Sequence, residues 1–215
     1  MSAREPPDMT LAEGLEGPVA GVDEVGRGPW AGPLVAAAVV LGDGSGPAGL
    51  DDSKRLTHAR RVLIAAEIRA VAAVGLGVVE AAELDRIGLG PANDLAMRRA
   101  VAALPLRAAS VLVDGRRMPE GLNLPGRAVI GGDARVSAIA AASIVAKVAR
   151  DAMMQDRARR HPGYGWERNK GYGTAEHRAA LERLGLTAEH RRCFRPVALL
   201  AEGIDGESAA GGGAV

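Results

Sequence analysis

Apolar residues along this chain come in short runs that end on charge or glycine. Val19-Ala20-Gly21-Val22 runs into Asp23-Glu24, and Val111-Leu112-Val113 runs into Asp114-Gly115. Apolar runs of about four to eight residues bounded by turn residues predict buried strands. Val19–Asp23 is therefore read as a first strand, Pro33–Leu41 as a second, Gly75–Val79 as a third, Ser110–Val113 as a fourth and Ala128–Ile130 as a short fifth. The fourth is apolar on both faces, which puts it inside a sheet. Gly42–Gly49 reads as a loop, and beyond Leu50-Asp51-Asp52-Ser53-Lys54 the period changes to that of a helix capped by Thr57. Its apolar positions Ala59, Val62, Leu63, Ala66, Ala70 and Ala73 predict the buried face, with Arg60, Arg61, Glu67 and Arg69 outward. Ala81–Leu104 predicts two helical pieces broken near Gly88–Pro91, and Val136–His161 predicts one long helix. Its first half, Val136–Ala146, is small and apolar on every side and should be buried; its second half is charged and should emerge. Thr174–Leu184 predicts a helix stopped by Gly185, with another helical turn near Thr187.

The 215 residues suit one domain. Residues 1–17 are expected to be a flexible lead-in, 18–202 the domain with a helical extension from about 160, and the glycine-rich 203–215 a disordered tail. Hydrophobic content is 47% but aromatics only 2%, so the core is built of Ala, Val, Leu and Ile, and each exposed Tyr or Trp becomes a candidate for a role. The lone Cys193 excludes an internal disulfide and a cysteine zinc cluster and fits a reducing compartment. The first residues carry no apolar signal-peptide core, and the longest apolar run, Leu34–Leu41, is too short to span a membrane; a cytoplasmic chain is expected. Net charge is +1, but Lys147–Arg195 carries twelve Lys and Arg against six Asp and Glu. A basic segment beside an acidic remainder fits a phosphate-binding surface next to metal-binding acids.

The chemistry concentrates in Gly21-Val22-Asp23-Glu24-Val25-Gly26-Arg27-Gly28. Adjacent carboxylates repel, and burying them costs free energy unless a cation neutralises them. The glycines admit close approach of a ligand to the backbone, and arginine suits phosphate. The spacing also matches a P-loop, but Arg27 stands where lysine belongs and Gly28 where Ser or Thr would hold magnesium. If the first and fourth strands are neighbours, Asp23 and Asp114 meet at one edge of the sheet. Asp133 follows the fifth strand through Gly131-Gly132. With Glu24, these acids can hold two divalent cations that activate water and stabilise a leaving oxygen. All-oxygen ligation favours Mg²⁺ or Mn²⁺, and His58, His161, His177 and His190 offer no close zinc spacing. Asp151 is a second carboxylate near Asp133, expected instead to pair with Arg150 or another neighbouring arginine.

Taken in order, Asp23-Glu24-Val25-Gly26-Arg27-Gly28-Pro29 with Ala31-Gly32-Pro33, Asp52-Ser53-Lys54, Val113-Asp114-Gly115, Gly132-Asp133, Ala141–Val148 with Arg150-Asp151, Tyr164-Gly165, Asn169-Lys170-Gly171-Tyr172-Gly173-Thr174 with His177, His190-Arg191 and Phe194-Arg195-Pro196 resemble bacterial ribonuclease HII. The matching segments span about residues 19 to 197. The resemblance implies an α/β, ribonuclease H-like fold: a mixed five-stranded sheet flanked by helices, with a C-terminal helical extension. It implies endonucleolytic hydrolysis of RNA in RNA–DNA hybrids and cutting 5′ of ribonucleotides embedded in duplex DNA. By the same resemblance Asp23, Glu24, Asp114 and Asp133 hold two Mn²⁺ or Mg²⁺ ions. Gly26, Arg27 and Gly28 reach the 2′-hydroxyl, Tyr172 packs on the adjacent deoxyribose, and Ser53, Lys54 and Lys170 contact phosphate. Lys147 could support the site or snorkel outward, and Trp30 is expected to pack under the glycine turn. Nucleic acid is the expected partner of a monomer, and no partner protein is identified. A catalytically silent hybrid-binding protein on the same scaffold is the alternative.

Overall fold

The structure, a computed structural model, describes residues 6–42, 46–50 and 56–210, the last eight by their backbone alone. Five strands form one sheet: β1 (Val19–Val25), β2 (Leu34–Leu41), β3 (Ala72–Val79), β4 (Ser110–Asp114) and β5 (Gly126–Val129), in the order β3-β2-β1-β4-β5. β1 pairs antiparallel with β2 and parallel with β4, and β4 pairs parallel with β5, so the sheet is mixed. The helices are α1 (His58–Val71), α2 (Ala81–Ile87), α3 (Leu89–Ala102), α4 (Ser137–Arg160), α5 (Trp166–Asn169), α6 (Ala175–Leu184) and α7 (Arg195–Ala210).

Small side chains decide how closely these layers approach. A Cβ on Gly21 of β1 would lie 2.1 Å from the backbone of Ala138, so α4 lies directly against the centre of the sheet. That contact explains the small, mostly apolar first half of α4, buried through Ala146 against β1, β2 and α1. α3 covers the other face, packing on Ala36, Ala38, Val111 and Val113. A third cluster, with Trp166, Tyr164, Met154 and Leu181, joins the helical extension to the emerging half of α4.

Several expectations change. β1 runs two residues past Asp23, because Glu24 and Val25 continue to pair with β2 where β4 no longer reaches. β5 begins and ends earlier than Ala128–Ile130. The buried face of α1 is Ile64, Ala65 and Ile68, whereas Ala59, Val62, Leu63, Ala66 and Ala70 are exposed. The helix has two apolar stripes, and the one carrying both isoleucines meets α4. The predicted helical turn at Thr187 is instead a loop whose amide and hydroxyl both hydrogen-bond to His190 Nδ1. The helix launched at Phe194–Pro196 continues to Ala210, across the boundary drawn at 203.

Residues 7–17 are docked, not loose: Ser137 Oγ donates to the Pro7 carbonyl, Arg127 to the Leu11 and Glu13 carbonyls, and Ser110 Oγ to that of Glu16. Met9, Leu11 and Leu15 pack on the α4 side of the core. Among the described residues no helix is long and apolar enough to cross a membrane.

Candidate active site

Alternate residues of a strand face opposite sides of the sheet, and the register of β1 on β4 uses this. Val22 pairs with Val113, so one step further Asp23 stands beside Asp114, both on the α4 face. Glu24 turns to the α3 face. Each aspartate is anchored by one oxygen: Asp23 Oδ1 accepts from the Glu24 amide at 2.7 Å, and Asp114 Oδ1 from the Gly132 amide at 2.7 Å. Ser143, on the first half of α4, hydrogen-bonds Asp23. Burial, then the charges of Glu24 and Asp114, push the Asp23 carboxyl well above the usual carboxylate range. Burial also raises Glu24, opposed by Arg27 at 3.4 Å. Asp133 is buried in the short 3₁₀ turn Gly132–Ala134. It is next in sequence to the amide that holds Asp114, but it does not line the cleft.

The loop from Gly26 to Pro33 is held by two buried arginines. Arg150 of α4 donates to the carbonyls of Ala31, Pro33 and Lys170, and Arg191 to those of Arg27 and Gly32. Burial lowers both guanidiniums, Arg150 to about 10 and Arg191 to about 9, the latter also by the charge of Arg150; both stay charged at neutral pH. Gly26 has φ +92°, and a Cβ there would lie 2.2 Å from Arg150 Nε. Arg150 also ties this loop to the segment carrying Tyr172, a residue 46% exposed whose ring lies opposite Gly28 in the cleft. Trp30, expected under the glycine turn, instead packs against Gly173 and His177 in the segment that follows Tyr172. The structural roles of Arg150 and Arg191 were not legible in the sequence. The available signal was an arginine following a helix half that is otherwise apolar.

Asp151 pairs with Lys147 at 2.6 Å, one helical turn away, and not with an arginine, because Arg150 points to backbone carbonyls instead. Lys147 lines the cleft beside Ser143. Lys170 adopts φ +52° and donates to the Glu167 carbonyl; burial lowers its ammonium, opposed by the charge of Asp151. Ser53 and Lys54 lie outside the described residues.

Beneath Tyr172 is a buried pair of histidines. Trp166 Nε1 donates to His177 Nε2, and His177 Nδ1 meets the Tyr172 carbonyl at 3.0 Å. The His190 and His177 Nε2 atoms are 3.1 Å apart, and the Thr187 amide donates to His190 Nδ1. One set of tautomers satisfies all four: His190 donates through Nε2 and His177 through Nδ1. Burial, then the charge of His177, holds His190 down to about 3. His177→Phe keeps a ring but leaves the Trp166 donor and the Tyr172 carbonyl without their partner. It should cost at least about 1–3 kcal/mol in urea unfolding; an unchanged midpoint would show that the pair does not support the loop.

The donor set fits hard divalent cations. Among the described residues, no three acidic, histidine or cysteine side chains already close on a single point at ligating distance. Three carboxylates nevertheless face one cleft, and burial and mutual repulsion raise Asp23. A cation among them would offset both effects.

Residues 20–197 match the family model described as Ribonuclease HII. A ribonuclease HII of Jannaschia sp. is 53% identical over 192 residues, covering 89% of this chain and 96% of that protein. The ribonuclease H2 of Pyrococcus horikoshii superposes with a TM-score of 0.75 at 23% identity, covering 87% of this chain and 98% of that one. The Bst ribonuclease HIII solved in complex with Mn²⁺ superposes at 0.72 with 20% identity, covering 96% and 76%. These two structural likenesses establish the ribonuclease H-like fold.

Proposed function

The chain belongs to the ribonuclease HII family and is a ribonuclease H-type endonuclease, and from that premise we propose that it hydrolyses the RNA strand of RNA–DNA hybrids and cuts 5′ of single ribonucleotides in duplex DNA. The observation that carries this reading is the placement of Asp23, Glu24 and Asp114 at one sheet end, in a cleft that also holds the glycine turn and Tyr172. Asp23, Glu24 and Asp114 would hold two divalent cations, Mn²⁺ or Mg²⁺; Asp133 does not line the cleft and would act as the fourth acid from the buried turn that anchors Asp114. Asp151 is set aside because Lys147 neutralises it. Bound cations would supply an activated water and a counter-charge for the leaving oxygen.

The chain's own groups do the positioning. Arg150 and Arg191 fix the main chain of Gly26-Arg27-Gly28, where a ribose 2′-hydroxyl can be read, and Tyr172 presents a ring where a deoxyribose fits and a ribose crowds. Lys170, with Ser53 and Lys54, would contact phosphate. The partner is nucleic acid, bound by a monomer in the cytoplasm.

The alternative, a silent hybrid binder, has no use for three carboxylates facing phosphate. A labelled duplex carrying one ribonucleotide separates the two readings. Cleavage with Mn²⁺ or Mg²⁺ that stops on chelation supports the nuclease. Tight binding without cleavage under every divalent condition supports the binder.

A further inference from the structure

The cleft divides at the acids into two arms. One, of about 320 Å³, lies toward α4 and holds Gly28, Ser143, Lys147 and Tyr172. The other, of about 490 Å³, shares Glu24, Arg27 and Asp114 and continues between α3 and the loop after β4. The division follows from strand alternation, since Asp23 faces α4 while Glu24 faces α3. The second arm has an apolar lining of Met97, Pro119 and Ile130, and it is bordered by Arg116 and Arg117.

Ile130 is 67% exposed and stands with Met97 and Pro119 along the same arm, so the exposed side chain belongs to a continuous apolar lining. Arg117 is oriented by Asp94 at 2.9 Å and by the Met118 carbonyl, yet its side chain stays 61% exposed. Arg116 is exposed and makes no hydrogen bond or ion pair among the described residues. Apolar surface bordered by guanidiniums suits a sugar–phosphate strand, whose sugars and bases are apolar on one side and whose phosphates are anionic.

We propose that this second arm is a strand-binding site for the nucleotides on the 5′ side of the cut, with Arg116 and Arg117 on backbone phosphates and Ile130 against a sugar or base. The inference rests on the nuclease reading above. In that reading Tyr172 packs on the sugar beyond the ribonucleotide, and the bond cut lies before it. The Tyr172 arm therefore takes the 3′ portion of the strand. With the scissile phosphate at the acids, the 5′ portion must leave past Glu24 and Asp114 into the Arg116–Ile130 arm.

The test combines a protein change with a substrate change. Duplexes with one ribonucleotide carry a single uncharged methylphosphonate, moved along the cut strand on both sides of the scissile bond. Wild type should lose several-fold in kcat/KM at one or two 5′ positions. Arg116→Ala should show a similar loss on the unmodified duplex, no further loss at that 5′ position and the full loss at 3′ positions. Its salt dependence should fall by about one in slope.

Arg117→Gln removes the cation but keeps an amide that can donate to Asp94, and it should reproduce the pattern at a neighbouring phosphate. Both variants should melt with wild type, since these side chains are exposed. Losses that simply multiply at every 5′ position, or an Arg116→Ala enzyme with wild-type kcat/KM, would overturn the proposal. Wild-type cutting with no 5′ interference refutes the arm alone, whereas no wild-type cutting refutes the nuclease reading beneath it.

Discussion

Asp114→Asn should lower cleavage by at least about 10²–10³-fold, the scale of losing one preorganised charge-stabilising group, while hybrid affinity stays near wild type. The side chain keeps its shape and can still accept from the Gly132 amide through its carbonyl oxygen. What is lost is one negative charge beside Asp23. The arginines and lysines proposed to bind phosphate are untouched, so rate and binding should separate in single-turnover cleavage and a gel-shift titration. Asp23→Asn should do the same and carry a second signature. A carboxyl raised in the folded state costs stability as pH climbs from its unfolded value through its folded one. Metal-free wild type should therefore gain stability from this group as pH falls from neutrality. At neutral pH, metal-free Asp23→Asn should melt higher, by about 2–4 °C per kcal/mol relieved, and should gain less from added Mn²⁺. Full activity in Asp114→Asn would remove the metal mechanism as assigned.

Gly26→Ala should be the most damaging single change in the loop, reducing cleavage of a continuous hybrid and of a single embedded ribonucleotide alike. The new Cβ would need both a disfavoured positive φ and the space held by Arg150 Nε. Relieving it displaces a guanidinium that secures Ala31, Pro33 and Lys170 together, so the turn and the Tyr172 segment both move. Tyr172→Ala should differ. Its ring is half exposed, and its main chain stays fixed by Asn169 and His177. Loss of the ring should lower cutting at the single ribonucleotide more than cutting within a long RNA strand. The check is cleavage rate on both substrates at one salt concentration. Equal losses for Tyr172→Ala would make the ring a general support and not a reader of the junction.

The sheet and the acid positions were legible because a short apolar run stopping at a carboxylate is unusual and specific. The runs Val19–Val22 and Val111–Val113 predict both strands, and their parallel pairing is the shortest way to bring Asp23 beside Asp114. The orientation of α1 was not legible, since Ala59, Val62 and Leu63 form as regular a stripe as Ile64, Ala65 and Ile68. Only contact with α4 selects between them. The roles of Arg150 and Arg191 depend on carbonyls supplied by distant loops, a tertiary fact that no local pattern encodes. The same holds for the docked segment ahead of β1, whereas Lys147–Asp151 is a local i,i+4 pair that helical spacing alone offers.

In the proposed mechanism the acids direct water, not the substrate's own 2′-hydroxyl, at the bond before a ribonucleotide. A 2′-hydroxyl can attack only the phosphate on its own 3′ side, so the two chemistries leave different ends at different places. The measurement is mass analysis of both fragments from a duplex with one ribonucleotide, cut in Mn²⁺ or Mg²⁺. A deoxy fragment ending in a 3′-hydroxyl and a partner beginning with a 5′-phosphorylated ribonucleotide is the predicted result. A 2′,3′-cyclic phosphate on the ribonucleotide, or a cut on its 3′ side, would contradict it.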